Sequence, residues 1–350
     1  FKVAALNVHG LHNKRVVEDL EMFVGEYNIV CLTETFCLSS DHEDPLCDQH
    51  SIDGFTLIHK PRRKCRRASG GLCLAIKNDL LKYITYVENE CNFILWCKID
   101  KRCFDTYDHI YLACVYVPPE TSNYGTVSCF DEIESEILEF KKLSDLIIVG
   151  GDFNAHTSTR PDVISIDPLD AHIDHILPDL SAIVSIETKL ELLQLPCTRL
   201  TEDTHGMNNW GHKLIECCHN TGMCIVNGRY GINSSHCTTT NNTIIDYFLC
   251  TAETFQFIKD MTVHTFNPCL SDVHVPIDIT LKLYDTTHNV ECHDDNDNAR
   301  NENMPNMQEN KCKVGPWDQS KNNECIDNFG TELLQQIYAC IDNFNENGDK

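Results

Sequence analysis

The sequence has no long hydrophobic run and comparatively little positive charge. No stretch of about 18 uncharged apolar residues occurs, so no transmembrane helix and no membrane partner are expected. Lysine and arginine total 28 against 53 aspartate and glutamate residues, for a formal charge of −25. This balance argues against a protein that grips nucleic acid over its whole surface. The chain opens at Phe1 on strand-like FKVAALNV without a basic and apolar leader, which favours an internal piece of a longer intracellular polypeptide.

Cysteine is abundant, but its spacing lacks the usual metal and disulfide patterns. There are 21 cysteines, an odd count, and none follow a Cys-x-x-Cys spacing. Free cysteine packs as a small hydrophobe, so most are expected to be reduced thiols of an intracellular protein. The cluster Cys217, Cys218 and His219 with nearby Cys224 fits no common zinc spacing.

The length and the local composition predict one large domain and a tail. A chain of 350 residues exceeds the size at which a single core stops growing. Residues 1–283 carry the strand and helix patterns, interrupted by an acidic excursion at about 157–202. Residues 284–317 are rich in Asn, Asp and Glu and poor in apolar residues, which predicts a disordered linker. A helical apolar stripe then returns in a connector tail at 318–350.

Hydrophobic periodicity within 1–283 predicts alternating strands and helices. Helices are expected at 16–27, 131–143 and 209–221. Strands are expected at 3–6, 29–32, 72–76, 93–99, 110–117, 147–151, 224–226, 243–250 and 275–283. Mixed sheets with helices outside them fit this order, which predicts an α/β (α+β) fold with a layered sandwich architecture.

The stretch IIVGGDFNAH, residues 147–156, ends a buried strand in an acid, an amide and an imidazole. In an extended backbone Asp152 and Asn154 point to one face while Phe153 points into the protein. The two glycines would allow another segment or a ligand to approach the backbone closely. A polar turn that caps the strand is the plainer interpretation, and similar groups at other strand ends decide between them.

Polar residues do follow or interrupt the other apolar runs. They are Asn7, Glu34, Tyr116, Asp246, and the pair Asp272 and His274. Each has an ordinary explanation alone, but together they supply hard oxygen donors and one base. That set is typical of a site that holds Mg²⁺ loosely and acts on phosphate.

In this order the segments LNVHGL, LTET, CVYVPP, GGDFNAH, TIIDYFL and LSDVHVPI resemble the motifs of the endonuclease/exonuclease/phosphatase superfamily. The resemblance spans about residues 1–283 and implies a four-layer α/β sandwich of two packed mixed β-sheets flanked by helices. The stretch from Asp203 to Gly231 and the following TIIDYFL are similar to the endonuclease domain of non-LTR (LINE-type) retrotransposons. WDQSKNNECIDNFG resembles the connector after that domain.

This resemblance implies a role for each polar group. Glu34 would be the principal Mg²⁺ ligand with Asn7 beside it, and Mn²⁺ could replace Mg²⁺. Asp152 would align or deprotonate the attacking water. The scissile phosphate would be contacted by the remaining side chains, Asn154, Tyr116 and His274, with Asp246 orienting the imidazole of His274.

Three positions depart from the family patterns. Val273 separates Asp272 from His274, so Asp272 needs a bulge to reach the site and its role stays open. Pro119 stands where abasic-site repair enzymes carry Asn, and residues 238–243 lack the aromatic that walls their abasic pocket. The last two differences favour a retrotransposon-type nicking enzyme over a repair enzyme.

Positive charge is concentrated in one segment. Residues 59–67 hold six Lys or Arg in nine positions and form either a solvated loop or a loop that grips phosphate. The candidates for contacts with nucleic acid are Arg62, Arg63, Lys64, Arg66, Arg67 and, in the NGRYG stretch, Arg229.

The leading hypothesis is therefore a Mg²⁺-dependent endonuclease that nicks DNA, with a reverse transcriptase domain in the full-length chain and a nuclear location when active. A phosphoesterase of the same fold that acts on a lipid or small phosphoester remains an alternative, since one scaffold hosts many chemistries. A catalytically degenerate, domesticated domain that only binds is the third hypothesis.

Overall fold

The computed structural model describes residues 1–11, 14–37, 52–61, 70–104, 106–122, 125–164 and 185–282. The chain divides into two units, Phe1–Val290 and Glu291–Lys350, and all described residues belong to the first. The predicted linker at 284–317 and helical tail at 318–350 lie outside the described residues and stay predictions. Among the described helices, none has both the length and the apolar composition needed to cross a bilayer.

Twelve strands of the described residues form two six-stranded sheets. The first sheet has the order β11-β12-β1-β2-β4-β3 and the second has the order β5-β6-β7-β8-β10-β9. The strands are β1 (Lys2–Asn7), β2 (Ile29–Thr33), β3 (Phe55–Lys60), β4 (Leu72–Lys77), β5 (Ile84–Val87), β6 (Ile94–Ile99), β7 (Ile110–Tyr116), β8 (Ile147–Asp152), β9 (Met223–Ile225), β10 (Asp246–Thr251), β11 (Ile258–Val263) and β12 (Ile277–Leu281).

Helices connect or flank these strands. The α-helices of the described residues are α1 (Lys14–Gly25), α2 (Ser128–Lys141), α3 (Ile186–Leu192) and α4 (Asn209–Thr221), and the short 3₁₀ helices are Asn78–Leu80, Lys101–Cys103 and Ala252–Phe257. The Asn208 side chain accepts a hydrogen bond from the backbone N–H of Gly211, and Gly222 ends α4 in the left-handed conformation. An amide cap and a glycine terminus are the standard signals for these ends.

The two sheets pack face to face, which explains why their strands read as nearly continuous apolar runs. In β1, Val3 lies in the core between the sheets, while Ala4 lies in the layer against α1. In β8, Ile148 faces the same central core and Ile147 faces α2 and α4. The order of layers is therefore helix, sheet, sheet and helix, and the predicted four-layer sandwich is confirmed.

The sequence patterns missed the strands β3, β5 and β11 and the helix α3. The missed strands β3, β5 and β11 contain charged or polar residues, so their apolar periodicity is weak. The predicted acidic excursion at 157–202 is described only at its two ends, 157–164 and 185–202. These ends pack against the body: Leu190 of α3 and Val163 lie in the central core.

Strand register places the polar strand ends together. In the parallel pair of β1 and β2, Asn7 lies beside Thr33, one residue before Glu34. In the parallel pair of β7 and β8, Tyr116 lies beside Asp152, and the antiparallel pair of β8 and β10 sets Asp152 opposite Asp246. The carboxyl ends of parallel strands lie at one edge of a sheet, so both sheets present their polar residues at one edge of the sandwich, called the rim below.

The two glycines of β8 allow close packing. A Cβ on Gly150 would lie 2.4 Å from the Phe248 ring, and one on Gly151, where φ is +148°, would lie 2.0 Å from the carbonyl oxygen of Val115. The sequence suggested that another chain segment or a ligand approaches these glycines. In the structure, the Phe248 ring and the backbone of Val115 occupy that space.

We expect Gly151→Ala to lower the free energy of unfolding by about 2–4 kcal/mol, because the new methyl group collides with the backbone of β7 and strains φ. Urea unfolding followed by circular dichroism measures this loss. Gly25→Ala is the matched control, since a Cβ on Gly25 meets no atom within 4 Å. Equal stability of the two variants would contradict the packing argument.

Candidate active site

Asp152 is a buried carboxylate that joins the polar ends of β1 and β8. Its Oδ2 accepts a hydrogen bond of 2.9 Å from Nδ2 of Asn7 and one of 3.2 Å from Nδ2 of Asn154. Its Oδ1 accepts a hydrogen bond of 2.9 Å from the backbone N–H of Asn154. Both sheets therefore contribute donors to this one side chain.

Asn154 reaches Asp152 through a turn, whereas the sequence predicted an extended backbone. Strand β8 ends at Asp152, and Asn154 has a left-handed φ of +49°. Its Nδ2 also donates to the carbonyl oxygen of Val117 at 2.9 Å. Phe153 is fully buried, as expected. Asn154 thus positions Asp152 here, and its predicted phosphate contact stays a prediction.

His274 is paired with Asp246 and faces Asp152. Its Nδ1 lies 3.1 and 2.9 Å from the two carboxylate oxygens of Asp246. Its Nε2 lies 3.9 Å from Oδ2 of Asp152, too far for a hydrogen bond. Asp246 therefore fixes the ring and directs Nε2 toward the space beside Asp152, which is the orientation that the resemblance implies.

Burial and mutual charge shift the pKa values of this group. Burial, with the nearby Asp246 carboxylate, raises the pKa of Asp152 to about 7. Burial alone would lower the pKa of His274, but the charge and hydrogen bond of Asp246, with Asp152 and Glu34, raise it to about 10. The imidazole is therefore protonated at neutral pH.

Glu34 lies at the same rim with its side chain 14% exposed. Its Oε1 accepts a hydrogen bond from the hydroxyl of Tyr116, and its Oε2 lies 2.9 Å from Nδ1 of His9. Asn7 accepts a 3.0 Å hydrogen bond at Oδ1 from the backbone N–H of His9. Glu34 is partly exposed and Asn7 is buried, and a carboxylate and an amide oxygen are suitable types of ligand for Mg²⁺.

A second set of possible ligands consists of Asp152, Asp246 and His274. One ligand atom from each lies within 4.8 Å of the others, so the geometry permits a metal ion there. An imidazole must be neutral to bind a metal, so an ion there would have to displace a proton from His274, whose pKa is raised to about 10. The arrangement therefore favours an ion-paired network for these three groups, with Glu34 and Asn7 as the better site for a hard cation.

Asp272 does not join the network around Asp152. Its side chain is 52% exposed, and its Oδ2 lies 3.8 Å from Nε2 of His9. The neighbouring residues Val273 and Val275 form backbone hydrogen bonds with Thr240 and Thr238. These bonds place His274 at the site while Asp272 remains at the outer edge of the rim.

Arg229 is not available for nucleic acid, so this sequence prediction is wrong. Its guanidinium forms two hydrogen bonds of 2.7 Å with Asp162, and both side chains are 0% exposed. Arg199 donates to the same carboxylate at 3.3 Å. Sequence reasoning took a structural ion pair for a surface cation. Arg62, Arg63, Lys64, Arg66 and Arg67 lie outside the described residues, and their contact with DNA stays a prediction.

Two residues that the sequence patterns missed connect the strand ends. Asp203 Oδ2 accepts hydrogen bonds from the backbone N–H of Ile244, at 2.9 Å, and from Nδ1 of His156, at 3.1 Å. Asn208 donates to the carbonyl oxygen of Asn154 and accepts from the backbone N–H of His156. Asn208 directly precedes the helix predicted at 209–221, which was a signal for a capping side chain, whereas Asp203 lies six residues before that helix and carried no such signal.

A family model described as "Endonuclease/Exonuclease/phosphatase family" matches residues 4–257. A search among curated proteins finds no match. Among solved structures, the endonuclease domain of TRAS1, a telomere-specific non-LTR retrotransposon, is similar with a TM-score of 0.51. That match has 14% identity and covers 81% of this chain and 99% of the domain. The AP endonuclease LMAP from Leishmania major has the same TM-score and identity and covers 80% of this chain and 86% of that one. Identities this low show the fold alone.

We expect Arg229→Ala to lower the free energy of unfolding by about 3 kcal/mol or more, because the Asp162 carboxylate loses its main partner in the protein interior. Urea unfolding measures the loss, and the exposed Arg160 replaced by alanine is the control, with an expected change within about 0.5 kcal/mol. A fully stable Arg229→Ala protein would contradict the structural role.

The raised pKa of His274 predicts a pH-dependent contribution to stability. The contribution of its imidazolium to the free energy of unfolding is fully present below the unfolded pKa of about 6.5 and is lost as pH rises through about 10. The melting temperature of wild type should therefore exceed that of His274→Asn by more at pH 6 than at pH 10. The exposed His212 replaced by asparagine should follow the wild-type profile. A difference that does not vary with pH would rule out the buried imidazolium.

Proposed function

The chain belongs to the endonuclease/exonuclease/phosphatase family, and we propose that it is a metal-dependent DNA endonuclease of the retrotransposon type. The observation that carries the proposal is convergence. Residues from both sheets, between Asn7 and His274 in the chain, meet around one buried carboxylate. Phosphodiester hydrolysis requires three kinds of group: one that aligns the attacking water, a positive charge such as a cationic imidazole, and hard oxygen donors.

Asp152 is the proposed base for the attacking water. Its raised pKa of about 7 matches the value at which a general base works well near neutral pH. The hydrogen bonds from Asn7 and Asn154 hold its carboxylate in one orientation. A water within reach of Oδ2 would lie beside Nε2 of His274, and both groups would act on one phosphorus centre.

His274 is the proposed electrostatic partner of the phosphate. Its protonated ring has one N–H directed at Asp246, and the other lies in the 3.9 Å gap beside Asp152. That second N–H would donate to a phosphate oxygen as negative charge develops. A Mg²⁺ ion held by Glu34 and Asn7 would supply further charge neutralisation, and Tyr116 orients the Glu34 carboxylate by its hydroxyl hydrogen bond.

DNA is the proposed substrate because of sequence features beside the site. The motifs from Asp203 to Gly231 are similar to those of LINE-type endonucleases, and Pro119 departs from the abasic-site repair pattern. The TRAS1 endonuclease domain and the AP endonuclease LMAP are equally similar in fold, so the choice between these two types rests on the sequence features. A nicking role for priming implies a reverse transcriptase domain in the full-length protein and a nuclear location, and both belong to this proposal.

The 350-residue chain is expected to relax supercoiled plasmid with Mg²⁺ and to stop when EDTA is added. Asp152→Ala and His274→Ala should each reduce the nicking rate by about 100-fold or more, because each removes a group that acts on the reacting atoms. The exposed His212→Ala is the control. Extension of the nick by a DNA polymerase would identify a 3′-hydroxyl product.

The remaining outcomes distinguish the other hypotheses. Hydrolysis of soluble phosphodiesters or phospholipid headgroups without plasmid nicking would assign a phosphoesterase of the same fold. DNA binding that is equal in wild type and Glu34→Gln, without cutting, would assign a binding module. Plasmid nicking that persists in both alanine variants would reject the site.

A further inference from the structure

His9 is a rim residue that none of the roles above uses. It follows Asn7 by two positions and has a left-handed φ of +46°. Its backbone N–H is bound by Oδ1 of Asn7, and its ring contacts that of Phe36 edge-on, with centroids 5.1 Å apart. Its side chain is nevertheless 53% exposed. The imidazole is therefore held in place while remaining open to solvent ions.

Both ring nitrogens of His9 face carboxylates from distant parts of the chain. Nδ1 lies 2.9 Å from Oε2 of Glu34, and Nε2 lies 3.8 Å from Oδ2 of Asp272. Neighbouring ligands of one ion, each about 2.1 Å from it and at right angles, lie about 3.0 Å apart. The Glu34 oxygen and the His9 nitrogen thus already have the separation of two ligands of a single ion.

We propose that His9 binds, through Nδ1, the divalent ion held by Glu34, with the half-exposed Asp272 carboxylate, 3.8 Å from Nε2, moving within hydrogen-bond distance of the Nε2–H when the ion binds. This inference rests on the proposed function, because it concerns the ion of that site. A histidine that binds a metal almost always donates its other ring N–H to a carboxylate, a backbone carbonyl or water, which fixes the ring and strengthens the ligand. Asp272 is placed for this role by the extra residue, Val273, before His274.

The proposal has a consequence for metal choice. Mg²⁺ prefers oxygen ligands, whereas an imidazole favours first-row divalent transition ions. A centre with Glu34 and His9 should therefore bind Mn²⁺ more tightly than Mg²⁺. Asn7 contributes an oxygen ligand in either case, so loss of His9 should weaken Mn²⁺ binding selectively.

The test uses Mn²⁺ bound to the full chain without DNA. Electron spin echo envelope modulation should detect coupling of Mn²⁺ to one imidazole ¹⁴N, and His9→Asn should abolish it. Calorimetric titration should give an approximately tenfold weaker Mn²⁺ affinity for His9→Asn, with Mg²⁺ affinity changed by less than about threefold. Asp272→Asn should weaken Mn²⁺ binding by about tenfold and retain the ¹⁴N coupling.

The matched control is His205→Asn. His205 is also about half exposed, and its Nδ1 lies 3.0 Å from the carboxylate of Asp203, but it lies away from Glu34 in the hydrogen-bond network. This variant should keep both the ¹⁴N coupling and the Mn²⁺ affinity. Glu34→Gln should lose stoichiometric Mn²⁺ binding.

Three results would overturn the proposal: no stoichiometric Mn²⁺ binding, no ¹⁴N coupling in wild type, or coupling that persists in His9→Asn. Coupling lost only in His274→Asn would place the ion among Asp152, Asp246 and His274 instead. Plasmid nicking is scored separately. A chain that nicks DNA with Mg²⁺ but shows no His9 coupling rejects only this inference, and a chain that binds Mn²⁺ through His9 without cutting rejects only the nuclease assignment.

Discussion

The arrangement of the rim depends on one buried positive charge, the protonated imidazole of His274. Asp152 and Asp246 lie opposite each other on adjacent antiparallel strands, with their carboxylates away from water. Two such charges repel each other in a medium of low polarity, and the protonated ring of His274 offsets this repulsion. Removal of that positive charge would leave two desolvated carboxylates unpaired. The same balance leaves Asp152 with a pKa of about 7, so the constraint on folding also creates a group suited to proton transfer.

Backbone strain is concentrated where this chemistry is arranged. His9, Glu34, Phe36 and Asn154 all adopt positive φ values although none is glycine. Such conformations cost free energy and persist only where surrounding contacts enforce them. At Asn154 the enforcing contacts are its own hydrogen bonds to Asp152 and Val117. The rim is therefore a set of turns held by side-chain hydrogen bonds, attached to two rigid sheets.

The total negative charge of the chain matters less for binding the proposed DNA substrate than the charge near the site. The formal charge of −25 is a sum over 350 residues, while binding of DNA depends on the charge near the contact surface. At the rim, His274 is buried and charged, whereas Arg229, which the sequence suggested for DNA contact, neutralises Asp162 in the protein interior. Among the described rim residues, positive potential for phosphate thus depends on the imidazolium of His274 and on the proposed metal ion. The basic segment 62–67 lies outside the described residues and stays a candidate for DNA contact.

The sequence by itself determined the layered architecture and the identity of the polar strand ends. Apolar runs long enough for buried strands, and helical stripes such as that of α4, predict their structures locally because burial repeats with the period of the backbone. Strands with several polar and exposed residues, such as β11, carry too little of this signal. Only the tertiary structure decided which groups meet: Arg229 with Asp162, and His9 between Glu34 and Asp272. Contacts between residues far apart in the chain depend on strand register and turn geometry, which leave no periodic trace in the sequence.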